Sequence, residues 1–156
     1  LASLVSVWLV LQGHHFSPLA SALKSKVWLG TTALLALAAT GAIAALGDTV
    51  FQTESLRAGI AADFSSASPL LLRLRLIHPV VAIIGAVALY VITLTPSPAS
   101  RPSVAGWVRR VLMTQVAVGI LNIGLLAPAW MQLIHLAFGV ALWTLWVRLV
   151  REWQHA

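Results

Sequence analysis

The 156-residue chain contains no cysteine, which excludes disulfides, thiolate metal ligands and thiol nucleophiles. Charge is nearly as scarce: 9% of residues are charged, with four Asp and Glu against ten Lys and Arg. So few charges cannot cover a water-facing surface. With 60% hydrophobic residues and a mean hydropathy of +0.93, an ordinary soluble domain is excluded and the expected solvent is lipid. The opening run from Leu1 to Leu11 is apolar, with no polar stretch before it and no small-residue cleavage site after it. It does not fit a secretory signal peptide. Residues 1–12 are expected to be the end of a preceding transmembrane helix in a longer polypeptide, a naturally short protein being the other reading.

Against these absences stand long hydrophobic runs. About 20 apolar residues are needed to cross roughly 30 Å of hydrocarbon, and such segments run over 27–46, 74–94, 107–126 and 129–150. Gly13 and Pro18, Gly47 and Asp48, Pro96 and Pro98, and Ala127-Pro128 punctuate them. The expected fold is all-α: a polytopic transmembrane four-helix bundle over 27–150 with an outer loop at 48–73, a cytoplasmic loop at 13–26 and a cytoplasmic tail at 151–156. Within the outer loop, Glu54 to Phe64 has apolar residues at helical spacing, consistent with a short interfacial helix or an ordinary loop.

Placing Lys24, Lys26, Arg101, Arg109, Arg110, Arg148 and Arg151 on the cytoplasmic side leaves Arg57, Arg73 and Arg75 outside, as the positive-inside rule favours. Topology thus accounts for the basic excess, and no aromatic-basic motif argues for nucleic acid. Trp28, Trp107, Trp130, Trp146 and Trp153 lie near span ends, where an interfacial aromatic belt is expected.

His78 and His135 each sit a short way into spans that start from the same side, so both imidazoles are expected at one depth, toward the outer face. Paired imidazoles on facing helices can fill both axial positions of a haem iron. Singly, each would more simply be hydrogen-bonded between helices; the matched pair raises the haem reading, because intramembrane ionisable groups are costly and tend to mark function. Arg73 and Arg75 precede His78 where haem propionates would emerge, and are candidate clamps or snorkelling side chains. Pro79 either starts the regular helix or kinks it. Gln115 and Asn122 share a face, and Gln132 lies three residues before His135; they orient an imidazole or hold helices together. His14, His15 and His155 are assigned no role.

Four stretches then carry a family resemblance: Thr40 to Thr49, Leu74-Arg75-Leu76-Ile77-His78-Pro79, Gln115 to Gly119 with Asn122, and Pro128 to Leu136 with its Gln132-Leu133-Ile134-His135 core. Together they resemble the C-terminal four-helix half of the haem A synthases of bacterial plasma and mitochondrial inner membranes. That resemblance implies half of a pseudo-symmetric eight-helix protein. His78 and His135 would be the iron ligands of a haem b, with Arg73, Arg75, Gln115 and Gln132 around it. The implied activity is oxidation of the haem O methyl group to the formyl of haem A, for cytochrome oxidase assembly. Haem O and haem A would be substrate and product, and the catalytic glutamate would lie in an N-terminal half outside this sequence. Implied partners are membrane lipid, haem, a haem O synthase and an electron donor, with homo-oligomerisation open. The cysteine pair of many relatives is missing from the 48–73 connector. A membrane b-type cytochrome and a non-enzymatic scaffold or transporter subunit are the alternatives.

Overall fold

The computed structural model describes residues 21–94 and 104–154. The expectations for residues 1–20, for His14, His15 and His155, and for Pro96, Pro98 and Arg101 lie outside the described residues. Six helices follow one another: α1 Ser21–Val50, α2 Leu56–Phe64, α3 Leu70–Leu74, α4 Ile77–Ile92, α5 Val104–Gly124 and α6 Ala129–Gln154. No strand occurs among the described residues. Four stretches are long and apolar enough to cross a membrane: Leu23–Val50, Leu70–Ile92, Val104–Gly124 and Ala129–Gln154. The fold is the expected all-α bundle of a multi-pass membrane protein.

Helices outrun the apolar segments from which they were expected. Residues 21–26, expected in a loop, already belong to α1, and α6 continues through residues 151–154. Hydropathy marks the part of a helix that lies in hydrocarbon, whereas backbone hydrogen bonding carries on into the polar region. The 48–73 connector likewise contains the end of α1, all of α2 and most of α3.

α1 packs chiefly with α4, and α5 with α6, so the bundle is two antiparallel pairs joined by lesser α1–α6 and α4–α5 contacts. A continuous core runs through one end only. Leu34 of α1, Leu89 and Ile92 of α4, Val108 and Leu112 of α5, and Leu142, Trp146, Leu149 and Trp153 of α6 meet there. Lipid is as apolar as leucine, so close packing and hydrogen bonds, rather than escape from water, hold such helices together. Trp146 supplies both: its indole lies against Gly30, where any Cβ would collide with the ring, and its Nε1 donates to Thr31 Oγ1 at 3.0 Å. Trp28, Trp107 and Trp130 are exposed, as an interfacial belt requires, but Trp146 and Trp153 are core residues at 2% and 6% exposure. Position near a span end does not decide which way an indole points.

At the opposite end the chain between α3 and α4 makes a tight jog: Leu76 and His78 donate backbone N–H to the carbonyls of Arg73 and Arg75. Pro79 is the third residue of α4. In a first turn the missing N–H breaks no intrahelical bond, so proline starts this helix rather than kinking it. Arg75 sits in the jog and ties down the loop. Its Nε donates to Asp63, its Nη1 to Asp48 at 3.1 Å and its Nη2 to the Gly59 carbonyl at 3.3 Å. The segment expected from Glu54 to Phe64 is therefore helical over Leu56–Phe64, capped by Ser55, whose Oγ accepts from the Ala58 N–H. It is fastened to the bundle by charge.

Candidate haem site between two helix pairs

The two helix pairs present the same arrangement to each other. In each, the second helix carries a histidine near its start, and the first carries a glycine and a polar side chain opposite it. In the α1–α4 pair, a Cβ on Gly41 would come within 3.2 Å of His78 Cε1, and Thr40 Oγ1 lies 3.0 Å from His78 Nδ1. In the α5–α6 pair, a Cβ on Gly119 would come within 3.0 Å of His135 Cε1, and Gln115 Nε2 lies 3.2 Å from His135 Nε2. Each imidazole lies flush against the neighbouring backbone because the residue facing it has no side chain.

The histidines meet across the interface between the pairs, with ring centres 6.3 Å apart and planes at 86°. A metal–imidazole bond of about 2.0–2.1 Å plus about 1.1 Å from nitrogen to ring centre, doubled, places two axial imidazoles about 6.3 Å apart. Polar atoms are also left over here. His135 Nδ1, Gln115 Oε1 and Asn122 Oδ1 are buried without hydrogen-bond partners. Unpaired buried polar atoms are costly, normally by about 1–3 kcal/mol each. Two of these, His135 Nδ1 and the Oε1 of the Gln115 that contacts it, belong to one histidine and its partner and mark a place suited to a polar or metal-bearing ligand. Turning the Gln115 amide changes which nitrogen of His135 carries the proton but leaves Nδ1 unpaired in either orientation. The donor set fits a haem: two neutral nitrogen ligands at matched depth, at the less densely packed end of a bundle.

The other candidates separate. Gln115 touches His135, whereas Gln132 Nε2 donates to the Ala127 carbonyl at 2.7 Å and so secures the turn between α5 and α6. That turn holds Leu126 and Ala127 at φ 62° and 52°, a left-handed conformation costing roughly 1–2 kcal/mol per non-glycine residue. Arg75 is committed to its two carboxylates, with 11% of its side chain exposed, while Arg73 is exposed to the surroundings. The alternating Leu-Arg-Leu-Arg pattern thus sends the two guanidiniums different ways. Sequence reasoning missed Thr40 as the partner of His78 and the carboxylates of Asp48 and Asp63 as partners of Arg75. The available signal was a hydroxyl residue beside a glycine in an otherwise apolar span, and two acids near the only long connector. Among the described residues, no three His, Cys, Asp or Glu side chains gather as a metal-binding cluster.

Two curated proteins are similar to this chain, each named protohaem IX farnesyltransferase and each from a strain of Thermus thermophilus. Each is 36% identical over 128 residues, covering 78% of this chain and 21% of the relative. The chain therefore spans about a fifth of the length of the curated relatives it matches. No family model matches, and no solved structure matches.

These relatives correct the haem A synthase reading. Their name states transfer of a farnesyl group to protohaem IX, not oxidation of haem O, so the synthase and oxidoreductase assignments are withdrawn. What stands is a multi-pass membrane chain similar to proteins whose name ties them to protohaem IX. The physical reason for the error is that the matching stretches, a histidine before proline at a helix start and a glutamine three residues before a second histidine, fix where side chains stand between helices. They do not encode what is then done to its substituents.

Proposed function

We propose that this chain is a haem-holding, membrane-embedded segment acting in haem biosynthesis, and that it takes protohaem IX between His78 and His135. The observation that carries the proposal is the 6.3 Å separation of the two imidazoles, the spacing required by one iron bonded to both. The relatives' name supplies the ring: protohaem IX, which is haem b, is the acceptor it specifies. Arg73, exposed at the same end, is our propionate partner. The donors of Arg75 are engaged by the loop. Gln115 positions His135, and Gln132 holds the turn that delivers it.

The transfer step itself calls for different chemistry. A prenyl diphosphate is ordinarily activated by a divalent cation held by carboxylates. Of the four acidic residues here, Asp48 and Asp63 are both engaged by the one guanidinium of Arg75. We therefore assign to this stretch the holding of the ring, and to the remaining length of the relatives the farnesyl transfer. Bound there, haem would supply a redox-active iron, with His78 and His135 as the residues that would hold it and Thr40 and Gln115 as the side chains that would orient them.

The test is a titration of the purified protein in detergent with protohaem IX, read by absorption, on wild type, His78→Ala and His135→Ala. One equivalent bound with a low-spin spectrum, lost in both variants, is expected. A wild type that binds no haem, or variants that retain the low-spin spectrum, would refute the assignment.

A further inference from the structure

Resting on the haem reading above, one residue outside the iron's reach acquires a role. Thr40 lies on α1 one turn from Ala36, and its hydroxyl Oγ1 approaches three polar atoms: the Ala36 carbonyl at 2.8 Å, the Leu37 carbonyl at 3.4 Å and His78 Nδ1 at 3.0 Å. A hydroxyl has one proton but two lone pairs. The shortest of these contacts is to Ala36, the back-bond that threonine commonly makes to the carbonyl four residues earlier in a helix. With its proton given to Ala36, Thr40 has only lone pairs to offer His78.

We propose that Thr40 is a positioning residue that fixes His78 in the tautomer with its proton on Nδ1, leaving Nε2 as a bare lone pair. Nε2 of His78 has no hydrogen-bond partner among the described residues, so the nitrogen released by the tautomer is the one free to bind iron. A metal-bound imidazole normally donates its other N–H to an outer partner that sets ring orientation and basicity, and here the α1 backbone does so by way of a threonine. Gly41, next in the chain, completes the seat: its missing Cβ lets the ring lie 3.2 Å from where that atom would be. The two ligands are therefore unequal. His78 is set by a hydroxyl that can only accept, whereas His135 is held by an amide that can turn to donate or accept.

The decisive experiment follows the ring nitrogens of 15N-histidine-labelled full-length protein in detergent without haem, assigned with His78→Gln, and repeats the haem titration on the same variants. Wild type should show His78 protonated at Nδ1. Thr40→Val, which keeps the shape and removes the acceptor, should lose that single tautomer and weaken protohaem binding roughly 10-fold, the low end for loss of a ligand's outer partner; Thr40→Ser should restore both. A wild-type His78 protonated at Nε2, or a Thr40→Val protein whose His78 is unchanged, would overturn the proposal. Because the tautomer is read without haem, that failure is distinguishable from a wild type with the expected tautomer that binds no protohaem, which would instead overturn the function proposed above.

Discussion

Each imidazole in the bundle rests on a glycine, and the tolerances are a few tenths of an ångström. A Cβ on Gly119 would stand 3.0 Å from His135 Cε1, closer than carbon atoms pack without displacement. Gly119→Ala should push the ring out of line and lower protohaem affinity by about 10-fold, by analogy with other disturbances of a ligand's surroundings. The bundle should stay folded, which far-UV circular dichroism and a haem titration together would verify. At this scale the sequence was partly legible. His78 and His135 stood out because imidazoles inside a membrane are expensive and have to be accounted for. Thr40 did not, because a threonine that back-bonds to its own helix costs almost nothing in lipid and looks the same in sequence whether or not a histidine faces it. Arg75 shows the same limit: a guanidinium before a histidine suits a propionate, and only the fold reveals that Asp48 and Asp63 reach it first.

Among the elements, the jog between α3 and α4 and the packed end of the bundle do different jobs. Arg75 fastens α2 across the histidine end, and breaking such a buried pair by removing one partner costs roughly 3–5 kcal/mol. Asp48 retains 26% side-chain exposure, so the lower figure applies. Arg75→Gln should loosen residues 56–64 by about 3 kcal/mol, seen as faster hydrogen exchange there, with little change around Trp146; an unaltered exchange pattern would mean that α2 is held by something else. Conversely, Gly30→Ala puts a methyl into the Trp146 indole. It should lower stability in detergent by about 1–3 kcal/mol, the usual cost of overpacking, and separate α1 from α6 without touching α2. The spans themselves were legible from hydropathy, because only a helix can satisfy every backbone group in hydrocarbon. Their ends were not, since α1 and α6 continue past the apolar segments into a region where composition changes but hydrogen bonding does not.

For the whole molecule, the distribution of charge proposes an orientation. Lys24, Lys26, Arg109, Arg110, Arg148 and Arg151 gather at the packed end, and the histidines, α2 and the α5–α6 turn lie at the other. We place the histidine end outward, by the positive-inside rule. The native absence of cysteine makes the test clean: Ser66→Cys, exposed beyond α2, should react with an impermeant thiol reagent from outside intact cells, and labelling only after permeabilisation would reverse the orientation. The activity was the least legible level. Paired histidines between apolar helices make one membrane bundle resemble another, while a reaction depends on groups that such a pairing does not specify. The claim on which the rest depends is that one iron bonds both histidines. It is tested most directly by low-temperature electron paramagnetic resonance of the ferric, protohaem-loaded protein. Ring planes at 86° predict a strongly anisotropic low-spin signal; a stoichiometrically loaded protein with a high-spin, five-coordinate signal would contradict it.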